Sequence, residues 1–361
     1  MDCLEESSGA GRNQAAIDVA VLIPLHGSAG IFGPSCELCA RLAADEINAA
    51  GGLLGREVRL RVVDGAGPPE RVADEIDALV STGAVDMVVG WHISAVRKAV
   101  APRIAMRVPY VYTAMYEGGE QTPGVFLVGE TPDTQLLPAM RWLAHECGVQ
   151  RWCIVGNDYI WPRRTAAVAQ GFAEEIGSRV CEEMFVPLGT DRFPQVIGRL
   201  TASRADGVLM LLVGQDAVHF NRAFADAGLD EKFWRLSTCV DENTLLASGA
   251  DGTHRLCATA AYFASLATPE SMAFGARYTA RFGRHAPPLN SIGESCYEGM
   301  LLLSALVREA RSIDVRDMCT AARSLGYAGP RGDLAVRDGH LDQRIYLAGA
   351  NGLGFEVIAQ F

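Results

Sequence analysis

No stretch of this 361-residue chain holds an apolar run near the roughly 20 residues needed to span a bilayer, so no membrane-crossing helix is expected. Positive charge is also scarce: 32 Lys and Arg against 43 Asp and Glu leave a formal charge of -11. With neither a basic excess nor a local basic run, the chain offers phosphate backbones no electrostatic footprint, which argues against direct nucleic-acid binding. Catalytic signatures are missing too. There is no Walker A lysine motif and no G-x-S-x-G elbow; Gly293-Glu294-Ser295-Cys296-Tyr297 lacks the last glycine and lies in a helical pattern. The pairs Glu174-Glu175 and Glu182-Glu183 are adjacent in sequence, so their carboxylates point apart and read as solvated surface charge.

Ten cysteines are present, but they sit in apolar segments, as with Cys153, Cys181 and Cys257. Such thiols behave as small buried hydrophobes in a reducing compartment. Cys36 and Cys39 form a C-x-x-C without a second such pair or a nearby histidine pair, and they fit consecutive turns of a helix as packing residues. No metal and no cofactor is expected. The acidic N-terminal stretch has neither a basic n-region nor an apolar h-region, which predicts a disordered tail over 1–16 and a cytoplasmic protein. A signal peptide in the full gene product would instead mark an exported receptor.

What is present is an alternation of strand and helix from end to end. Apolar or period-two strands are predicted near 17–25, 58–64, 86–90 and 108–112, with helices between them such as 70–81. A glycine-rich segment, 116–124, reads as a crossing to a second series with strands at 152–156, 180–186, 207–213 and 233–237. Helices follow near 290–311 and 315–325, then short antiparallel strands at 332–336, 343–347 and 355–358. Repeated βα units imply parallel sheets with right-handed crossovers. The expected fold class is α/β: two Rossmann-like lobes with parallel central sheets and a ligand cleft between them. Lobe 1 is placed at 17–121 plus about 263–328, and lobe 2 at 122–262 plus about 329–361.

Two readings compete at the first turn. Gly27, Gly30 and Gly33, with Asp64 after the second strand, resemble a dinucleotide cradle, but the spacing is G-x-x-G-x-x-G and no hydride-transfer constellation accompanies it. A nucleotide-dependent enzyme is therefore the weaker reading. Three other strand-to-helix turns each carry aromatic and small polar residues: Trp91 to Ser94, Tyr112 to Tyr116, and Asn157 to Trp161. Facing one another from two lobes, they would line a small-molecule cleft. Ser94 is a candidate cap whose helix aims its first N–H groups into that cleft. His92 is either a pocket group titrating near neutrality or a residue bonded to a backbone carbonyl.

The segment Glu46-Ile47-Asn48, Gly51-Gly52 and Gly55-Arg56 spells E-I-N-x-x-G-G-x-x-G-R. With it the chain resembles the type I periplasmic-binding-protein fold, in its branched-chain amino-acid and amide receptor branch. Ser94 to Val100, Tyr116-Glu117-Gly118 and Asp158 to Arg163 look most like the cytoplasmic amide receptors that regulate amidase and nitrile hydratase genes. The resemblance implies a ligand sensor that is not an enzyme. It would bind a short, neutral amide between closing lobes and act through a partner regulatory protein, with a homodimer as a further possibility. It implies pocket roles for Ser94, Tyr112, Tyr159 and Thr238. His92 and Ala114-Met115 depart from the receptor pattern, and with Trp91 they complete the candidate site. The alternative is the substrate-binding receptor of an ABC transporter for amides, urea or branched-chain amino acids.

Overall fold

The computed structural model describes residues 16–337 and 339–361. The tail expected over 1–16 lies outside the described residues, except that Ala16 already belongs to the first strand. That strand, β1 (Ala16–Ile23), is buried from Val19 to Ile23, as a strand covered by helices on both faces must be. It pairs in parallel with β2 (Glu57–Asp64) and β3 (Met87–Gly90). Next to β3 come β4 (Tyr110–Tyr112) and then β5 (Val125–Leu127), again parallel. Helices α1 (Gly33–Ala49), α2 (Pro69–Ser81) and α3 (Ser94–Ile104) make the crossovers.

Helix α1 opens with Pro34 in its first turn, where the missing N–H costs no hydrogen bond, and stops at the double glycine. Gly52 has φ +75°, and a Cβ there would stand 2.0 Å from the Arg56 carbonyl oxygen. Asn48 then pairs with Val58 as a strand neighbour would: Nδ2 donates to its carbonyl at 2.8 Å and Oδ1 accepts from its N–H at 2.7 Å. Arg56 donates to the Ala16 carbonyl. The motif from Glu46 to Arg56 therefore docks α1 on the amino ends of β1 and β2, opposite the strand ends that face the cleft.

The second lobe repeats this grammar. It contains α4 (Pro132–Glu146), β6 (Arg151–Asn157), α5 (Ile160–Glu175), β7 (Arg179–Val186), α6 (Pro194–Ala202), β8 (Gly207–Leu211), α7 (Gln215–Asp226), β9 (Trp234–Ser237), α8 (Glu242–Ser248) and β10 (Leu256–Ala260). Helices α9 (Pro269–Phe282) and α10 (Ser291–Ala310) return to the first lobe, where both pack along α1, and α11 (Val315–Ala321) follows. Strands β11 (Gly326–Gly329), β12 (Gly332–Arg337) and β13 (His340–Asp342) complete one sheet, ordered β11-β12-β13-β5-β4-β3-β1-β2. Strands β14 (Tyr346–Asn351) and β15 (Gly354–Gln360) close the other, ordered β15-β14-β10-β9-β8-β6-β7. The result is the expected pair of α/β lobes with mostly parallel sheets.

The lobe boundaries differ from those expected. Strand β5 lies in the first sheet, so the chain first crosses at 128–131, not at 116–124. Strands β12 and β13 also belong to the first sheet, and 343–345, expected as strand, is the last crossing. The cause is length: three-residue strands such as β5 and β13 are too short to show a period. The cysteines among the described residues are free thiols, with Cys36 and Cys39 buried between α1 and α10, where burial raises both far above the usual thiol range. Cys181 differs from expectation: it is exposed on β7, an edge strand.

The crossings are tied to one another by side chains. Glu130 Oε1 accepts from the Ala261 N–H at 2.7 Å, and Gln343 Nε2 donates to the Val128 carbonyl at 2.8 Å. Arg331 donates to Gln343 and pairs with Glu294 at 2.6 Å, both partners of the pair being nearly or fully buried. Glu298 lies one turn along α10, fully buried; burial first, then the Glu294 charge, pushes its pKa up to about 8. Burial likewise raises Glu242 to about 8. An unfolded chain holds such protons only below about pH 4.3, so the native state binds more protons across the interval between, and stability falls as pH rises through it. The melting temperature should decline from about pH 5 to pH 8, and Glu298→Gln should flatten that slope in thermal unfolding at graded pH. An unchanged slope would show that Glu298 is already ionised.

Candidate functional site

The carboxyl ends of the two sheets face each other across a cavity with an empty volume of about 210 Å³. Much of that space is interstitial or continuous with solvent; the volume in which a water can be centred is about 10 Å³, room for a single water. The first lobe supplies the turn Trp91 to Ser94, after β3, and Tyr112, Ala114 and Met115, from the end of β4 onward. The second lobe supplies Tyr159 and Trp161, at the start of α5, with Val213 and Cys239. Seven of the eight expected site residues thus come together. The exception is Thr238, which is buried beside the cavity but does not line it; its carbonyl accepts from Gln135 at 3.1 Å, and Cys239 takes the lining position. Sequence reasoning did not select Ile93, Val213 or Cys239, apolar residues whose only signal is their place just after or beside a strand. Trp161 was visible in its turn but was not among the selected residues.

The polarity of the wall follows from its hydrogen bonds. Tyr112 OH donates to the His92 carbonyl at 2.7 Å, so its oxygen can act only as an acceptor, and the Ser94 and Arg97 side chains also face it. Burial pushes its pKa up to about 12, so it stays protonated. His92 is fully buried, and burial pushes its pKa down to about 3. Its Nδ1 faces the Ile93 carbonyl at 3.3 Å and can only donate there, so Nε2 accepts from Tyr110 OH at 2.8 Å. Both ring nitrogens are engaged, and His92 neither titrates near neutrality nor presents a free nitrogen. Ser94 is the first residue of α3 and not its cap; Ile93 holds the cap position with no side-chain bond. The first N–H groups of α3 therefore lack intrahelical acceptors. Trp91 Nε1 is buried without a partner, its ring set edge-on to Phe32 at 4.9 Å.

Behind this wall sits Arg97, which sequence reasoning did not single out. It is fully buried between the rings of Tyr112, at 4.9 Å, and Tyr116, at 4.7 Å. Glu117 at 2.7 Å and Glu120 at 2.9 Å pair with it, and its Nη1 lies 3.4 Å from Ser94 Oγ. Its charge is met by two carboxylates before reaching the cavity. The Ser94 oxygen accepts from Arg97, so its proton is directed elsewhere. The lining side chains therefore carry no ionised group, while presenting donors at Trp91 and Ser94 and an acceptor at Tyr112.

The lobes also touch at the rim. Asn243 Nδ2 of α8 donates to Ser35 Oγ of α1 at 2.8 Å. Gly214, between β8 and α7, has φ +52°, and a Cβ there would fall 2.0 Å from the Ser28 carbonyl oxygen of the first lobe. At the first turn, the carboxylate expected to hold a ribose is occupied: Asp64 Oδ1 accepts from Leu25 N at 2.9 Å and Ala66 N at 3.0 Å. That turn is a short 3-10 helix, Ser28–Phe32, and serves as a lobe contact.

Two α/β lobes with a small cavity between their facing sheet ends have the architecture of a two-lobe binding protein. Residues 16–354 match the family described as periplasmic binding protein, and the chain belongs to that family of solute-binding receptors. Among curated proteins, it is 25% identical over 300 residues to a Leu/Ile/Val-binding protein homolog of Brucella melitensis, covering 81% of this chain and 76% of that one. Among solved structures, a solute-binding protein of an ABC transporter from Rhodopseudomonas palustris, in complex with 3,4-dihydroxybenzoic acid, superposes with a TM-score of 0.84 at 20% identity, covering 96% of this chain and 97% of that chain. The LivJ protein of Streptococcus pneumoniae in complex with isoleucine gives a TM-score of 0.82 at 15% identity, covering 96% and 98%. These structures share the fold.

A methyl group at position 214 would collide with the Ser28 carbonyl across the lobe contact, and the φ of +52° strains any side chain there. Gly214→Ala should weaken ligand binding by about tenfold or more, the effect of a small shift toward the open form. Calorimetry reads the affinity, and small-angle scattering should still show the expanded form at saturating ligand. Full compaction of the variant would rule out this contact as a condition of closure.

Proposed function

We infer that this protein is the solute-capturing receptor of an ABC-type uptake system, binding one small organic molecule between its lobes. The observation that carries the ligand class is the cavity wall. An ammonium group would find no carboxylate on it, and a carboxylate would meet hydrogen-bond donors but no free cation. Burying an unpaired charge is far more costly than burying a hydrogen-bonded neutral group. A short carboxamide fits: its carbonyl accepts from Ser94 and the α3 N–H groups or Trp91, and its N–H donates to Tyr112. The names of the relatives support transport over gene regulation, and they extend to branched-chain amino acids and aromatic acids as competing ligands.

A second reading, a cytoplasmic amide sensor acting through a partner regulator, shares the same cavity and draws support from its neutral wall. Calorimetric titration with propionamide, urea, leucine and benzoate separates the ligand classes. Heat with propionamide and none with leucine or benzoate is the expected result, and the reverse would overturn the neutral-ligand reading. Tyr112→Phe, which removes the oxygen that would accept from the amide N–H, should weaken the amide by about 3-fold to 10-fold in the same titration, the worth of one hydrogen bond.

A further inference from the structure

At the start of α8, Asp241, Glu242 and Asn243 lie against the amino ends of α1 and α10, across the contact between the lobes. Asn243 Nδ2 makes the cross-lobe bond to Ser35 Oγ at 2.8 Å. Asp241 is fully buried and caps α8: its Oδ1 accepts from the Thr244 N–H at 2.9 Å and the Thr244 hydroxyl at 2.7 Å, while its Oδ2 has no partner. Glu242 is 7% exposed; its Oε1 accepts from the Ala264 N–H at 2.7 Å, in the crossing after β10, and its Oε2 is buried without a partner. Ser291, the first residue of α10, faces the same carboxyl from the first lobe. No cation pairs with either acid among the described residues. The titratable groups around them are Cys36 and Cys39 of α1, Cys239 before α8 and Tyr262 after β10. Burial raises all four, so they carry no charge near neutrality. Glu294, one turn into α10, is paired with Arg331.

We propose that this segment is a proton-coupled latch on lobe closure: Asn243 makes the cross-lobe bond and Glu242 is sealed beside it as the neutral acid, so closing the lobes takes up a proton. Opening moves α1 and α10 away and lets water reach the carboxyl, which then ionises. A carboxylate shut in without a cation is the state that closure must avoid. With the lobes closed, burial raises Glu242 to about 8, against about 4.3 for a hydrated glutamate. The closed form therefore holds more protons than the open form between those limits. Closure is fully favoured below about pH 4.3 and weakens as pH rises toward about 8, the closed-to-open ratio falling by up to about tenfold per pH unit. Asp241, raised by burial to about 6, acts with the same sign. The latch makes capture tighter in acid and looser in alkali, whatever ligand the cleft takes.

The test needs no ligand and so does not depend on the ligand class assigned to the cavity. Small-angle scattering of the full chain at constant ionic strength, fitted as a mixture of closed and open forms, reads the ratio across the range from about pH 5 to about pH 9. In the wild-type chain the closed-to-open ratio should fall by about tenfold or more over that range. Glu242→Gln keeps an acceptor for the Ala264 N–H and carries no charge, so it should stay as closed in alkali as the wild type is in acid. Glu298→Gln, whose carboxyl lies away from this contact, should open with pH as the wild type does. Asn243→Ala keeps the acid but loses the cross-lobe bond; it should be more open at every pH, with the same slope. A wild-type ratio that does not change with pH would overturn the latch. So would a Glu242→Gln chain that opens as far as the wild type, a Glu298→Gln chain that loses the slope, or an Asn243→Ala chain as closed as the wild type.

Discussion

The Arg331–Glu294 pair, sealed from water beside Glu298, sits where the chain passes between the lobes, and the rest of the molecule depends on what it holds. Buried charges persist only when paired and further hydrogen-bonded. Here the pairing runs through Arg331 to Gln343 and from Gln343 to the Val128 carbonyl. Glu130 ties the first crossing to the second through Ala261 N. Crossings fixed to one another on one side leave the lobes free to approach only by rotation about that side. The strand ends meet on the other, where Gly214 and Ser28 touch.

This geometry explains why the cavity is small and uncharged. Parallel sheets present their carboxyl ends, and the helix N-termini that follow them, toward the opposing lobe. The Arg97 cluster shows how charge is handled near the cleft. A guanidinium stacked between two tyrosines and met by two glutamates stiffens the wall without lending a free charge to the ligand. His92 has a similar role, with both ring nitrogens spent on bracing β4 through Tyr110 and on the Ile93 carbonyl.

Much of this was legible in the sequence. The apolar run of β1, the alternation of β2 and the double glycine after α1 each have a direct structural counterpart, because strand burial and helix termination are local properties. The pocket residues could be selected because ligand sites sit after parallel strands, and three such turns carried aromatic side chains. Residues 116–124 were misjudged as a lobe crossing because their glycines and acids look like a linker. Glu117 and Glu120 are instead pinned under Arg97, a partner about 20 positions away that no periodicity points to.

The family signature from Glu46 to Arg56 separates what each level decides. By itself the sequence determined the βα grammar, the two-lobe class and the receptor family, since patterning, turn glycines and the Asn48 and Arg56 anchors act within one βα unit and its neighbouring strand. That same signature lies at the far end of the strands from the cleft, so it says nothing about the ligand. Only the tertiary structure decided which strands join which sheet, that His92 is neutral and fully bonded, and that Thr238 does not line the cavity. Each of these depends on contacts between residues distant in the chain, where burial and hydrogen-bond pairing, not local propensity, set the outcome.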